Sequence, residues 1–226
     1  MQASRLVKVG VVVVVMAATV QVVVRVVPEP VTVTRSLFVS LRSEWRRPRP
    51  LTLLVAAITT AGAIWQALRP GLLDHAARHH DTISSGRWWQ FATELVVQSP
   101  LWQAPINILA LLVVGAAVER LFGPVRWLLL YLGGAAVGEA VAMSWQPEGA
   151  GNSIAVLGLL GGLFAFFLRE HRDVGVRLLV VLALAGGGVL VYYHNIHGPA
   201  LLAGAVLGLP LVRRRRDAEL PVARRP

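Results

Sequence analysis

No cysteine occurs among the 226 residues, which excludes disulfides, thiol nucleophiles and thiolate-ligated zinc. Charge is scarce too: 15% of residues are charged against 55% hydrophobic, and the mean hydropathy of +0.62 is far from that of a soluble domain. Lysine is all but missing, with Lys8 standing against 21 arginines. The net charge of +10 would suit nucleic acid only if the arginines lined one polar face. They sit instead in short clusters between apolar runs, which reads as membrane topology and argues against a nucleic-acid partner. No phosphate-binding loop and no acid pair is present. What is left is a membrane protein restricted to non-thiol chemistry. The Arg-, Ala-, Val- and Gly-rich composition points to a GC-rich bacterium, and so to the plasma membrane.

Apolar runs of about 16–20 residues alternate with polar breaks, and about 20 residues span a bilayer as a helix. Six of them form a block over 51–212: Leu51 to Leu68, Ala104 to Val118 with Trp102 and Glu119 as its ends, Trp127 to Met143, Ser153 to Leu168, Leu178 to Tyr193, and His197 to Val212. The fold class is therefore an all-α polytopic membrane protein. Basic residues concentrate on the cytoplasmic side of membranes. "RSEWRRPRP", "ERLFGPVR", "REHRDVGVR" and "RRRRDAEL" all fall on one side of the six runs, which makes both ends of the block cytoplasmic. The opposite side carries the joint from Arg69 to about Trp102, the short "SWQPEGAGN" and the "YYHNIHG" corner.

Residues 1–27 form an apolar, valine-rich segment flanked by Lys8 and Arg25 and broken by Gln21. A seventh span, a signal-like segment and an extension from a wrong start codon are all open readings. Residues 28–50 read as a Pro- and Arg-rich cytoplasmic linker, 51–212 as the membrane domain, and 213–226 as a basic cytoplasmic tail suited to anionic headgroups.

Three stretches carry the chemistry. In "QAPINILALLVVGAAVERLFG", Asn107 is followed by Gly115, Glu119 and Gly123 at offsets of eight, twelve and sixteen. "GNSIAVLGLLGG" sets Gly151 two residues before Ser153, with Gly158, Leu159 and Gly161 after it. "HNIHGPALLAGAVLG" opens the sixth run with His194 and His197 and continues through Gly204 and Gly208. As an ordered set over about Gly86 to Gly208, these resemble the rhomboid family of intramembrane serine proteases, whose Asn-Gly-Glu-Gly and Gly-x-Ser patterns they match in spacing. "SGRWWQFATELVV", Ser85 to Val97, is similar to the family's segment between its first two helices, with Gln90 after Trp89 where Arg is usual.

The resemblance implies a six-transmembrane-helix rhomboid-type bundle. It also implies a Ser–His dyad without a third carboxylate, needing no cofactor or metal, that hydrolyses peptide bonds within or beside transmembrane proteins. Ser153 is then the nucleophile and His197 the base, since a serine hydroxyl needs a partner to take its proton and imidazole suits that role near neutrality. The arginine-derived topology independently sets both at the outer ends of their helices. The oxyanion donors are the Ser153 backbone N–H, Asn107, and Gln103 one turn before it, where the family usually has His. Glutamine also offers N–H donors. Gly151, Gly158, Gly161, Glu119, Gly123, Gly204 and Gly208 make up the structural motif.

Three departures set expectations. Branched Ile154 follows the serine where Gly is usual, which predicts a wider gap to the sixth helix. Leu157 stands where a Tyr often supports the histidine, which predicts an unsupported base. His197 lies seven residues before Gly204, which predicts that it faces correctly but sits one turn outward; His194, about 80° off that stripe, is the second-choice base.

"HAARHH" sets His75 and His79 four apart, a metal-pair spacing on a helix, although a solvated amphipathic face is the plainer reading and no metal site is expected. Glu139 is an ionisable group in or beside the membrane, either functional or reaching the headgroups. Two functions stay open: an intramembrane serine endopeptidase, and an inactive rhomboid-like protein that binds transmembrane partners. The bilayer surrounds either one. A transporter is disfavoured because the halves show no internal symmetry.

Overall fold

The computed structural model describes residues 49–212. The valine-rich segment, nearly all of the 28–50 linker and the basic tail lie outside the described residues. Within them the chain is helical, with one isolated antiparallel bridge between Arg78 and Gly149. Five helices are long and apolar enough to cross a membrane: α1 (Pro50–Leu68), α5 (Leu101–Phe122), α6 (Pro124–Trp145), α7 (Ser153–Glu170) and α8 (Val174–Tyr192). A sixth apolar helix, α9 (His197–Leu211), has 15 residues and is therefore about 22 Å long, short of a hydrocarbon core of about 30 Å. Between α1 and α5 lie the short helices α2 (Leu72–Ala76), α3 (His80–Ser84) and α4 (Gln90–Thr93).

The helix ends show why these bounds hold. The first turn of α1 has N–H groups with no intrahelical partner, and Glu119 supplies one from α5. Its carboxylate accepts from the Leu51 N–H (3.2 Å), the Thr52 N–H (2.9 Å) and the Thr52 hydroxyl (2.7 Å). A negative group at a helix N-terminus also suits the helix dipole. Glu119 of the sequence motif is thus a brace between two helices at the end of the bundle away from Ser153. Within α5, residues Leu111–Gly115 form a π-turn, and the carbonyl of Gly115 accepts from the Trp127 indole at 3.0 Å. Gly123, at φ +79°, turns the chain from α5 into α6. Asp173 Oδ1 caps α8 by accepting from the Val176 N–H at 2.8 Å, and Arg169 donates to the Leu209 carbonyl at the end of α9.

α7 is the central helix. In its apolar window 67% of residues are buried, against 28% in each of α1, α5 and α8. Helices in lipid gain no hydrophobic drive toward one another, so they associate where small residues admit close van der Waals contact. A Cβ on Gly158 would stand 2.7 Å from the Gly134 Cα of α6. A Cβ on Gly161 would run into the Leu201 carbonyl and stand 2.5 Å from the Ala205 nitrogen of α9. One on Gly204 would lie 2.8 Å from the Gly158 Cα. The wider α7–α9 gap expected from Ile154 is therefore absent. The Ile154 side chain points at α6 instead, where a Cβ on Gly138 would lie 3.2 Å from its Cβ, and so it never enters the α7–α9 seam. The outward faces of α1, α6 and α8 carry Leu54, Ile58, Leu129, Leu132, Val181 and Leu182, as a lipid-facing surface requires.

The α1–α5 connection also separates the paired histidines of "HAARHH". His75 lies in the last turn of α2 and His79 in extended backbone before α3, so the two never share a helix face. Among the described residues no group of acidic and histidine side chains is arranged to hold a metal. Along the stretch His75 and His80 are exposed and His79 is half-buried, while Ala76, Ala77 and Arg78 are buried.

Candidate active site

Ser153 is the first residue of α7 and His197 the first of α9, so the glycine-packed pair of helices brings their N-termini together. Ser153 Oγ lies 2.9 Å from His197 Nε2. The outward displacement expected of His197 is not seen. The 2.9 Å contact sets the histidine at the level of the serine. His194, the second-choice base, is elsewhere. Its backbone adopts φ +54°, its exposed ring packs edge-on against Trp145, and its carbonyl accepts from the Gln146 carboxamide at 3.4 Å.

The approach to Ser153 is shaped by Gly151, which adopts φ +142°, a conformation reserved for glycine. A Cβ there would stand 3.2 Å from Gln98 Oε1 and 3.7 Å from Asn107 Nδ2, so the Asn107 amide lies beside the loop that delivers the serine. Ser153, as the first helical residue, has a backbone N–H with no partner inside the helix. Gln103 lies one turn before Asn107, and among the described residues no side-chain hydrogen bond joins it to this group.

Gln98 holds the group together and was not singled out in the sequence. It is fully buried. Its Oε1 accepts from Asn107 Nδ2 at 2.7 Å, and its Nε2 donates to Asn152 Oδ1 at 3.3 Å. Its own backbone is fixed by Gln66, whose side chain accepts from the Gln98 N–H at 2.8 Å and donates to its carbonyl at 2.7 Å. Such a polar residue after the apolar "LVV" and before Pro100 is a signal in retrospect, since a buried carboxamide demands partners. Asn195 was missed as well. Its Oδ1 accepts from the His197 N–H at 3.0 Å and lies 2.7 Å from His197 Nδ1.

A buried charge cluster backs the same loop. Arg78 Nη1 lies 2.5 Å from Glu139 Oε2 and 2.9 Å from Glu94 Oε2, while its Nη2 donates to the Gln146 carbonyl at 2.9 Å. Glu139 is therefore an internal ion-pair partner and does not reach the headgroups. Burial, reinforced by hydrogen bonding to Glu139 and by its charge, pushes the Glu94 carboxyl up to about 10 against the opposing pull of Arg78. Glu94 is then a neutral acid at physiological pH. Arg78 N–H donates to the Gly149 carbonyl (2.9 Å), and the Gly151 N–H donates to the Glu94 carbonyl (2.8 Å). The α1–α5 connection thus pins the strand of chain that leads to Ser153.

An all-helical membrane bundle in which a serine and a histidine meet at one end of two tightly packed helices defines the class. The Rhomboid domain family model matches residues 85–214, more than half of the chain, and the protein belongs to the rhomboid family. It is similar to Rhomboid protease GluP of Bacillus subtilis (strain 168), at 32% identity over 151 residues that cover 62% of this chain and 30% of GluP. It is also similar to the protein named "Putative rhomboid protease YdcA" of the same organism, at 27% identity over 117 residues covering 50% of this chain and 59% of that one. The matches thus span less than two thirds of either relative's length.

Proposed function

We propose that the protein is an intramembrane serine endopeptidase that cleaves transmembrane proteins through Ser153 and His197. The observation that carries the reading is the 2.9 Å contact between Ser153 Oγ and His197 Nε2. In this mechanism Nε2 takes the hydroxyl proton as Oγ attacks a substrate carbonyl. The resulting oxyanion faces the Ser153 N–H and the carboxamides of Asn107 and Gln103. The imidazolium returns its proton to the leaving amine, and the acyl group on Oγ is then hydrolysed by a water that the same imidazole deprotonates. α1, α5, α6, α7, α8 and α9 are the six spans. Both ends of the block lie at the cytoplasmic face of the plasma membrane and the Ser153 end faces outward, with the arginine clusters on the opposite side.

An inactive, partner-binding rhomboid is the second reading, favoured by Gln103, which stands where the family usually has His and, among the described residues, has no side-chain hydrogen bond to Asn107 or Gln98. The test is reconstitution of the whole chain in liposomes with a quenched-fluorophore transmembrane peptide. Fluorescence release that is abolished in Ser153→Ala supports the protease. Peptide association without release in wild type supports the alternative.

A further inference from the structure

Asn195 occupies an unusual position for a residue outside any helix. It is 9% exposed, its backbone N–H donates to the Leu190 carbonyl at 2.9 Å, and its carbonyl accepts from the Gly198 N–H at 3.1 Å. The turn before it is set by His194 at φ +54°, and Gly198 after it presses on α8, where an added Cβ would stand 2.6 Å from the Gly187 carbonyl. The residue is therefore held from both sides. An Asn that accepts from an N–H two residues on is a common local turn, and by itself this geometry would be only a helix-start feature.

The contact with the ring takes it further. A backbone N–H is only ever a donor, so the atom of Asn195 that meets the His197 N–H at 3.0 Å must be the carboxamide oxygen. The same oxygen lies 2.7 Å from Nδ1. An acceptor at that distance requires Nδ1 to carry the proton, which leaves Nε2 with its lone pair directed at Ser153 Oγ, 2.9 Å away. The carboxamide thereby selects the one neutral tautomer in which His197 can act as a base toward Ser153. We propose that Asn195 is a positioning residue that turns the Ser153–His197 pair into a Ser–His–Asn arrangement. It supplies from the α8–α9 corner the support that Leu157, an aliphatic side chain with no hydrogen-bonding group, cannot give.

This inference rests on the Ser153–His197 reading for its catalytic meaning, and two readouts separate them. The first is the 15N spectrum of selectively histidine-labelled whole chain in detergent, with His197 assigned by comparison with His197→Gln. The Nδ1–H tautomer is expected in wild type, and an Nε2–H tautomer overturns the proposal without reference to activity or to any Asn195 variant. The second is the rate at which a fluorophosphonate probe labels Ser153. Asn195→Leu, which keeps bulk and loses the acceptor, is expected to slow labelling by about 10–100-fold, while Asn195→Asp, which keeps the acceptor, restores it to within about threefold. Unchanged labelling in a folded Asn195→Leu, or failure of Asp to rescue, overturns the positioning role. No labelling of Ser153 in wild type overturns the protease reading and the catalytic role of Asn195 together, and the tautomer measurement still decides the geometry.

Discussion

Replacing Gln98 with leucine removes the carboxamide that joins Asn107 to Asn152 while keeping side-chain bulk and both backbone bonds to Gln66. Two hydrogen bonds are lost, at 2.7 and 3.3 Å. At about 0.5–1.5 kcal/mol each, the expected loss of stability is about 1–3 kcal/mol. The catalytic loss is separate. Deleting one oxyanion donor outright costs about 10²–10³ in rate. In Gln98→Leu the Asn107 amide is still present but no longer aimed, so a fall of about 10–100-fold in cleavage rate is expected. The assay is a double-mutant cycle with Asn107→Ala, read as transmembrane-peptide cleavage in liposomes. Gln98 acting through Asn107 requires the double variant to be little worse than Asn107→Ala, with a coupling above about 1 kcal/mol. Effects that add to within about 0.5 kcal/mol would refute the reasoning, as would a Gln98→Leu variant of wild-type activity.

Glu94 is pushed from its ordinary 4.5 up to about 10, so the folded chain keeps a proton that the unfolded chain releases. That contribution is full below about pH 4.5 and is lost as pH rises toward about 10. Glu94→Gln, a mimic of the neutral acid, should gain thermal stability relative to wild type as the buffer is taken from about pH 5 to about pH 9, and a constant or shrinking difference contradicts the assignment. Gly161→Val places a branched side chain against the Leu201 carbonyl and the Ala205 nitrogen. It should cost at least about 1–3 kcal/mol and, by parting α7 from α9, reduce fluorophosphonate labelling of Ser153 about 100-fold even in folded protein. Wild-type melting and labelling would show that the seam does not set the dyad.

Helix positions were legible because apolar length and polar punctuation dictate them: α7 begins at Ser153 and α9 at His197, where the sequence sets them. The proposed Ser153–His197 pair was read from the family resemblance and the arginine-derived topology, and the two side chains lie 2.9 Å apart. The errors came from treating packing as one-dimensional. Ile154 was read against α9 because it follows the serine, but one residue along a helix rotates the side chain by about 100°, here toward Gly138 of α6. His197 was measured against Gly204 alone, and an offset counted along one helix does not fix how far that helix slides along its neighbour. The groups that hold the site, Gln66, Gln98, Arg78, Glu94 and Asn195, lie on loops or reach across long separations, such as the 54 residues between Gln98 and Asn152. No periodicity announces such contacts. Only the rule that buried polar groups need partners marks these residues, and it names no partner.

Activation of Ser153 by His197 carries the proposed chemistry. Its most direct test is fluorophosphonate labelling of the detergent-solubilised whole chain, comparing wild type with Ser153→Ala and His197→Ala under conditions in which an active rhomboid control labels. Labelling of wild type that is lost in both variants is the predicted result. A folded wild type that does not label, or a His197→Ala variant that labels as fast as wild type, would contradict it.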